Sequence, residues 1–199
     1  MAIHRIIEAN AATRGDAPAI ADTHLTLSYR ELNQRSNAMA RQLLAEGFRR
    51  GGLATVCLPR RAETAIVLLG ILKAGGTYVL MDPATAPPQW PRGVSFAEKL
   101  DGNEICYRMV NPEAALERTP QSSANLPIVV RSSDVACVIA NSNGEPMMLV
   151  PHATILSLRC QAAPSLAGWS AEAGALDLWA ALMSGATVTL NGAALRAAA

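Results

Sequence analysis

The chain has 199 residues, half of them hydrophobic and 17% charged, with a formal net charge of +1. That length suffices for one sizeable core, and the composition is far from the polar, highly charged make-up of disordered chains. The near-neutral balance, with basic residues spread along the chain, argues against nucleic acid or an anionic membrane as partner.

The opening MAIHRIIEAN lacks the basic-then-apolar pattern of a secretory leader, and the longest apolar stretch, Ala65 to Leu72, is far shorter than the roughly 20 residues of a membrane span. Cys57, Cys106, Cys137 and Cys160 lie far apart with no CxxC pair, so neither a zinc site nor a redox motif is expected. Reduced thiols in a cytoplasmic protein are the expectation.

Ile3, Ile6 and Ile7 recur at helical spacing and predict a short amphipathic helix before Gly15 and a turn at Asp16 to Pro18. Ser28 stands three residues before Glu31, the spacing of a capping box, and Leu32, Met39 and Leu43 then form one stripe of a helix that Gly47 can end. Leu53 to Leu58 reads as a buried strand, Ala62 to Ala74 as a helix, Gly75-Gly76 as its break and Thr77 to Met81 as a second strand, which together predict a parallel crossover closed by Asp82-Pro83. From about 84 to 133 six prolines interrupt the pattern, so a loop-rich connection is expected, with only Glu104 to Val110 and Ile128 to Val130 extended. Regularity returns with strand Val135 to Ala140, a turn at Asn141 to Gly144, an apolar run Met147 to Val150 and a helix from near His152. A last helix, about Gly174 to Met183, leads through Ser184-Gly185 into strand Ala186 to Leu190, before the low-complexity tail AALRAAA.

The stretches LTLSYRELNQRSNAMARQLLAEG and LPRRAETAIVLLGILKAGGTYVLMDP resemble the first two core motifs, "TYxEL" and "LKAGxAYVPLDP", of adenylation domains in nonribosomal peptide synthetases. Tyr29, Glu31 and Leu32 match the first; Leu72, Lys73, Ala74, Gly75, Tyr78, Val79, Asp82 and Pro83 match the second. The resemblance is strong over 1–83, thin through the proline-rich middle, and returns from Asp134. It implies an α/β fold, a layered and partly parallel sheet with flanking helices, like the first part of the large N-terminal domain of adenylate-forming enzymes, with 1–199 as one partial adenylation domain. Both motifs are structural in that family, so they speak to fold and leave activity open.

Adenylation joins a carboxylate to the α-phosphate of ATP, and its site must neutralise charge on phosphoryl oxygens. The family uses a loop reading "TSGTTGxPKG", which the resemblance places on IANSNGEPMMLVPH here. Ser142, Gly144 and Pro146 are the matches and Ser142 and Gly144 the nucleotide-binding candidates, while Met147 stands where the family has lysine and Glu145 adds an acid. The whole chain has two lysines, Lys73 and Lys99, and neither is placed to serve as the loop lysine or the family's late lysine.

The family's "FDxSxxE" helix falls near Gly174 to Met183, which puts the acid that would hold a substrate amino group at Glu172, with Ala171 in the place of phenylalanine. A solvated acid near a helix start, where its charge suits the dipole, is the plainer account of Glu172. His152 and Ser157 lack a nucleophile-elbow glycine pattern, and a histidine at a helix start reads as a polar surface or capping residue.

The expectation is therefore a degenerate adenylation-type chain that stops short of the family's later motifs and has no catalytic residue or metal site of its own, with ATP and magnesium relevant only if a partner completes it. One half of a split amino-acid-activating enzyme, and a non-catalytic interaction module for a full synthetase, are the alternatives. A synthetase subunit or a second copy of the chain is the expected partner.

Overall fold

Nine strands and five helices are seen in a computed structural model that describes residues 1–81, 83–84, 93–99, 105–110, 122, 124–141, 145–158 and 175–190. Helix α1, Ile3–Thr13, buries Ile3, Ile6, Ile7 and Ala11, as the helical spacing predicts. Two short strands follow, β1 (Pro18–Ala21) and β2 (Thr26–Ser28), paired antiparallel. Their turn is held by Asp22, whose Oδ1 accepts from the backbone N–H groups of His24 and Leu25 at 2.8 Å. Periodicity over four and three residues is too short to announce such strands, and sequence reasoning passes over both.

Helix α2, Tyr29–Ala45, starts at the expected capping box: the Ser28 Oγ accepts from the Glu31 N–H at 3.2 Å, and the Glu31 carboxylate accepts from the Ser28 N–H at 2.8 Å. Each side chain satisfies a donor that a helix start leaves orphaned. Leu32, Met39 and Leu43 are buried in one stripe, and Gly47 takes a φ of 95° just beyond the end.

Strand β3 (Leu53–Cys57), helix α3 (Ala62–Lys73) and strand β4 (Thr77–Met81) form the predicted crossover, with β3 and β4 parallel from Leu53↔Thr77 to Cys57↔Met81. Every residue of α3 except Glu63 is buried, the pattern of a helix enclosed on all sides rather than resting on a surface. The Asp22 Oδ2 accepts from the Ala62 N–H at 2.9 Å, tying the β1–β2 turn to the first turn of α3. Gly75, at φ 78°, turns the chain between α3 and β4. Asp82, read as part of the closing turn, lies outside the described residues.

The proline-rich middle contains more strand than its composition suggests. β5 (Gly93–Lys99) pairs antiparallel with β3, and β6 (Ile105–Val110) pairs antiparallel with β5. The β6 segment matches the extended reading of Glu104 to Val110; β5 was not expected, because its strand state rests on a ladder to β3, some 40 positions away in sequence. Ile128–Val130, expected to be extended, forms no strand.

Beyond it come β7 (Val135–Ala140), β8 (Pro146–Pro151), helix α4 (His152–Ser157), helix α5 (Leu176–Ser184) and the two-residue β9 (Val188–Thr189). The large sheet runs β6-β5-β3-β4-β7-β8, with a parallel centre of β3, β4 and β7 and antiparallel flanks. A three-stranded sheet, β2-β1-β9, joins β1 in parallel to β9 and so brings residues 20–21 beside 188–189. Helix α2 packs along α3, and α1 touches α2, α3, α4 and α5. The result is the expected α/β architecture: a mixed, partly parallel sheet with flanking helices.

Candidate functional site

In a parallel sheet the loops that leave the carboxyl ends of the strands are where ligands gather. Here β3, β4 and β7 end side by side, and their last residues, Cys57, Met81 and Ala140, pack into a small apolar cluster apart from the main core. The chain leaves β7 at Asn141, and this is where the resemblance puts the phosphate loop. Ser142 and Gly144, the two nucleotide-binding candidates, lie outside the described residues, as does Glu172, the substrate-binding candidate.

Asn141 and Glu145 bracket that loop and close it on themselves. The Asn141 N–H donates to the Glu145 carbonyl at 3.0 Å, the Glu145 N–H donates to the Asn141 Oδ1 at 2.9 Å, and the Asn141 Nδ2 donates to the Glu145 carboxylate at 2.8 Å. An Asn side chain that captures a nearby backbone N–H is ordinary turn chemistry. It is the one signal by which sequence reasoning could have paired Asn141 with Glu145. The acid thus sits, exposed, at the base of the loop.

Strand β8 then forms one edge of the large sheet, with Met147, Met148 and Leu149 exposed at 70%, 53% and 62%. Met147, in the place of the family's lysine, offers no charge. Among the described residues of 141–151 there is no cation.

Lys73 is committed elsewhere. Its ammonium is 1% exposed and donates to the Glu8 carboxylate at 3.2 Å, the Asn33 Oδ1 at 2.5 Å and the Asn37 Oδ1 at 2.6 Å, so all three of its protons have acceptors on α1 and α2. Burial pulls it from the ordinary lysine value down to about 8, against the opposing pull of Glu8. A lysine of the second motif therefore acts as a clamp joining three helices. Lys99 belongs to β5, and its side chain lies outside the described residues.

The nucleophile-like residues are likewise engaged in structure. His152 was expected at the surface and is instead 1% exposed, its Nδ1 accepting from the Ile3 N–H at 3.3 Å; α1 covers the start of α4, a contact across 149 positions that no local pattern announces. Burial lowers its pKa to about 4. Ser157 Oγ donates to the Thr154 carbonyl at 2.7 Å, the ordinary back-bonding of a helical serine. Burial pushes the Cys137 thiol up to about 11, well away from the thiolate a nucleophile needs. The Trp179 Nε1–H donates to the Tyr78 hydroxyl at 2.6 Å, which pins α5 to β4 through the core. Among the described residues no group of three or more His, Cys, Asp or Glu could hold a metal ion, and no helix is long and apolar enough to cross a membrane.

Residues 7–98 match the family model for AMP-binding enzymes. Bacitracin synthase 1 of Bacillus licheniformis is 29% identical over 94% of the chain, and a dimodular nonribosomal peptide synthase of Bacillus subtilis is 43% identical over 62% of it. This chain is homologous to peptide-synthetase adenylation domains. The solved structure of the nonribosomal peptide synthetase FmoA3 covers 96% of this adenylation-type chain with a TM-score of 0.76 at 25% identity. The N-terminal subdomain of Klebsiella oxytoca NpsA covers 96% with a TM-score of 0.74 at 18% identity, a likeness of fold. The chain spans only 4% and 5% of the two synthetases, 22% of the FmoA3 chain and 55% of the NpsA subdomain. The resemblance first seen in Tyr29-Arg30-Glu31-Leu32 and Leu72 to Pro83 thus extends to sequence relatives and to the fold.

Proposed function

We propose that this chain is a non-catalytic, adenylation-type scaffold of a peptide-synthetase system in the cytoplasm, a pseudoenzyme of secondary metabolism that does not activate amino acids on its own. The observation that carries the reading is the hairpin at the end of β7, where Asn141 and Glu145 bind each other and Met147 presents an uncharged side chain. ATP with magnesium brings a triphosphate whose negative charge needs cations and free backbone N–H groups. An acid at the base of the loop and a thioether beyond it fit that group poorly. Lys73 cannot be recruited without abandoning Glu8, Asn33 and Asn37.

A second reading draws on coverage. The chain aligns with 55% of the NpsA subdomain, so another segment could supply the rest of an active site, with Glu172 contacting the substrate and Ser142 and Gly144 the nucleotide. In either reading the partner is a synthetase subunit, or a second copy of the chain.

Amino-acid-dependent exchange of pyrophosphate into ATP tests both. The purified chain should show no exchange above a no-protein control, and millimolar ATP with magnesium should leave its melting temperature unchanged, because a ligand stabilises only in proportion to its binding. Exchange by the chain alone would overturn the proposal; exchange appearing only on mixing with a synthetase subunit would replace it with the split-enzyme reading.

A further inference from the structure

We propose that His4 and His152 form an acid-sensitive latch that holds the amino-terminal helix α1 onto the β8–α4 unit, and that opens when either imidazole takes up a proton. The two residues lie far apart in sequence, His4 in the first turn of α1 and His152 at the start of α4. Their rings meet edge to face, with centroids 6.2 Å apart and planes at 81°. His4 is 2% exposed, and its Nδ1 has no hydrogen-bond partner among the described residues. His152 Nδ1 is the acceptor for the Ile3 N–H, one of the orphan donors of the first turn of α1.

That geometry requires unprotonated imidazole. A proton on the His152 Nδ1 would turn the acceptor of the Ile3 N–H into a second donor, and two N–H groups would then face each other in a buried place. A proton on His4 would bury a cation beside a neighbour able to become one as well. Burial and mutual repulsion hold His4 at about 3, and burial holds His152 at about 4, both below the ordinary 6.5.

The surrounding charges decide whether any acid could shelter the new cation. On α1, Arg5 repels, and Glu8 is already bound by Arg5 at 2.8 Å and by Lys73. From α3, Lys73 repels His4. The amino terminus opposes charge on His152, and only Asp134 favours it. Asp134 itself accepts from Arg50 at 3.3 Å and from the Arg131 N–H at 2.9 Å. Helix α5, packed on α1 and α4, has one ionisable residue, the exposed Asp177, and β8 has none. Helix α2, against the other side of α1, carries Arg30, Glu31, Arg35 and Arg41, with Glu31 spent on its own cap. Of the described acids on these elements, Glu8 and Asp134 are already paired, Asp177 is exposed, and Glu63 sits in the first turn of α3, at the opposite end of that helix from Lys73.

Both folded values are depressed, so the opened form binds more protons than the latched form once the pH falls below 6.5. The latch is at full strength above that pH and weakens as acid approaches the folded values. For His152 alone the opening equilibrium rises roughly thirty-fold between pH 7.5 and pH 5. Opening would expose Ile3, Ile6 and Ile7 and free the unit that continues directly from Asn141 and Glu145.

Hydrogen exchange on the full chain, corrected for intrinsic rates, tests the proposal. Between pH 7.5 and pH 5 the amides of residues 3–11 should open at least ten-fold more often, with α3 much less affected. His4→Leu combined with His152→Asn removes both titrating rings while leaving an amide oxygen for the Ile3 N–H, and should abolish the difference. Persistence of the pH effect in that variant, or equal protection of α1 at both pH values in the parent, would overturn the latch. Should the variant fail to fold, the parent still decides through its imidazole C–H resonances, read against the ordinary histidine value of 6.5. Two rings that titrate near 6.5 while α1 stays protected would refute it, and two that titrate only as α1 protection is lost support it.

Discussion

Replacing Lys73 with methionine probes a buried ion pair that helps tie three helices together. Methionine keeps most of the length and the apolar stem and removes the ammonium. Glu8 then keeps Arg5 at 2.8 Å but loses its buried cation, while the Asn33 and Asn37 side-chain oxygens lose their ammonium donor. Removing one partner of a buried pair costs about 3 kcal/mol, because the other charge stays behind. With a urea slope of about 2 kcal/mol/M, the midpoint should fall by roughly 1.5 M.

The cost belongs to the abandoned carboxylate rather than to a favourable lysine. A fall from 10.5 to about 8 means that the folded environment opposes the ammonium by about 3 kcal/mol relative to water. Lys73→Met combined with Glu8→Leu should therefore recover most of the loss. The lowered value has a second consequence. Between pH 8 and about 10 the unfolded chain holds the lysine proton more tightly than the folded one, so stability should rise with pH through that window. From about pH 9 the buried Cys137 thiol, held protonated by burial, offsets part of that gain, and above about 10 the buried Tyr29 and Tyr78 reverse the trend. Urea titrations of the parent and the two variants at pH 7.5, with the parent repeated at pH 9.5, check all of this. A single variant as stable as the parent, or a double variant weaker than the single, would refute the reasoning.

Two further expectations concern helix ends. Ser28→Ala removes the side-chain half of the capping box of α2 and should cost about 1 kcal/mol in denaturant unfolding, with Glu31→Ala giving a smaller loss. Gly75→Ala forces a Cβ into a left-handed backbone at φ 78°, with Arg50 Cγ and Ile128 Cγ2 only 3.0 and 3.1 Å from it, and should cost about 1–2 kcal/mol; an unchanged melting temperature would show that the turn relaxes freely.

Local chemistry carried much of this protein in plain view. The Ser28–Glu31 spacing, the Leu32, Met39 and Leu43 stripe and the Gly75-Gly76 break each act within a few residues, so the helices, the first crossover and the family likeness could be read from the chain itself. The β7–β8 hairpin was legible for the same reason, since an apolar run, an Asn-to-Gly turn and a second apolar run suffice to mark it. What lay beyond sequence were contacts made across long separations. Strand β5 exists because β3 offers a ladder, β1 pairs with β9 across some 170 residues, and Lys73 and His152 are buried because α1 folds back over both. A lysine and a histidine look like surface residues in any window of sequence. Only the packing of α1 decides that each must find its hydrogen bonds inside the protein, because a buried polar group left without a partner is destabilising by about 1–3 kcal/mol.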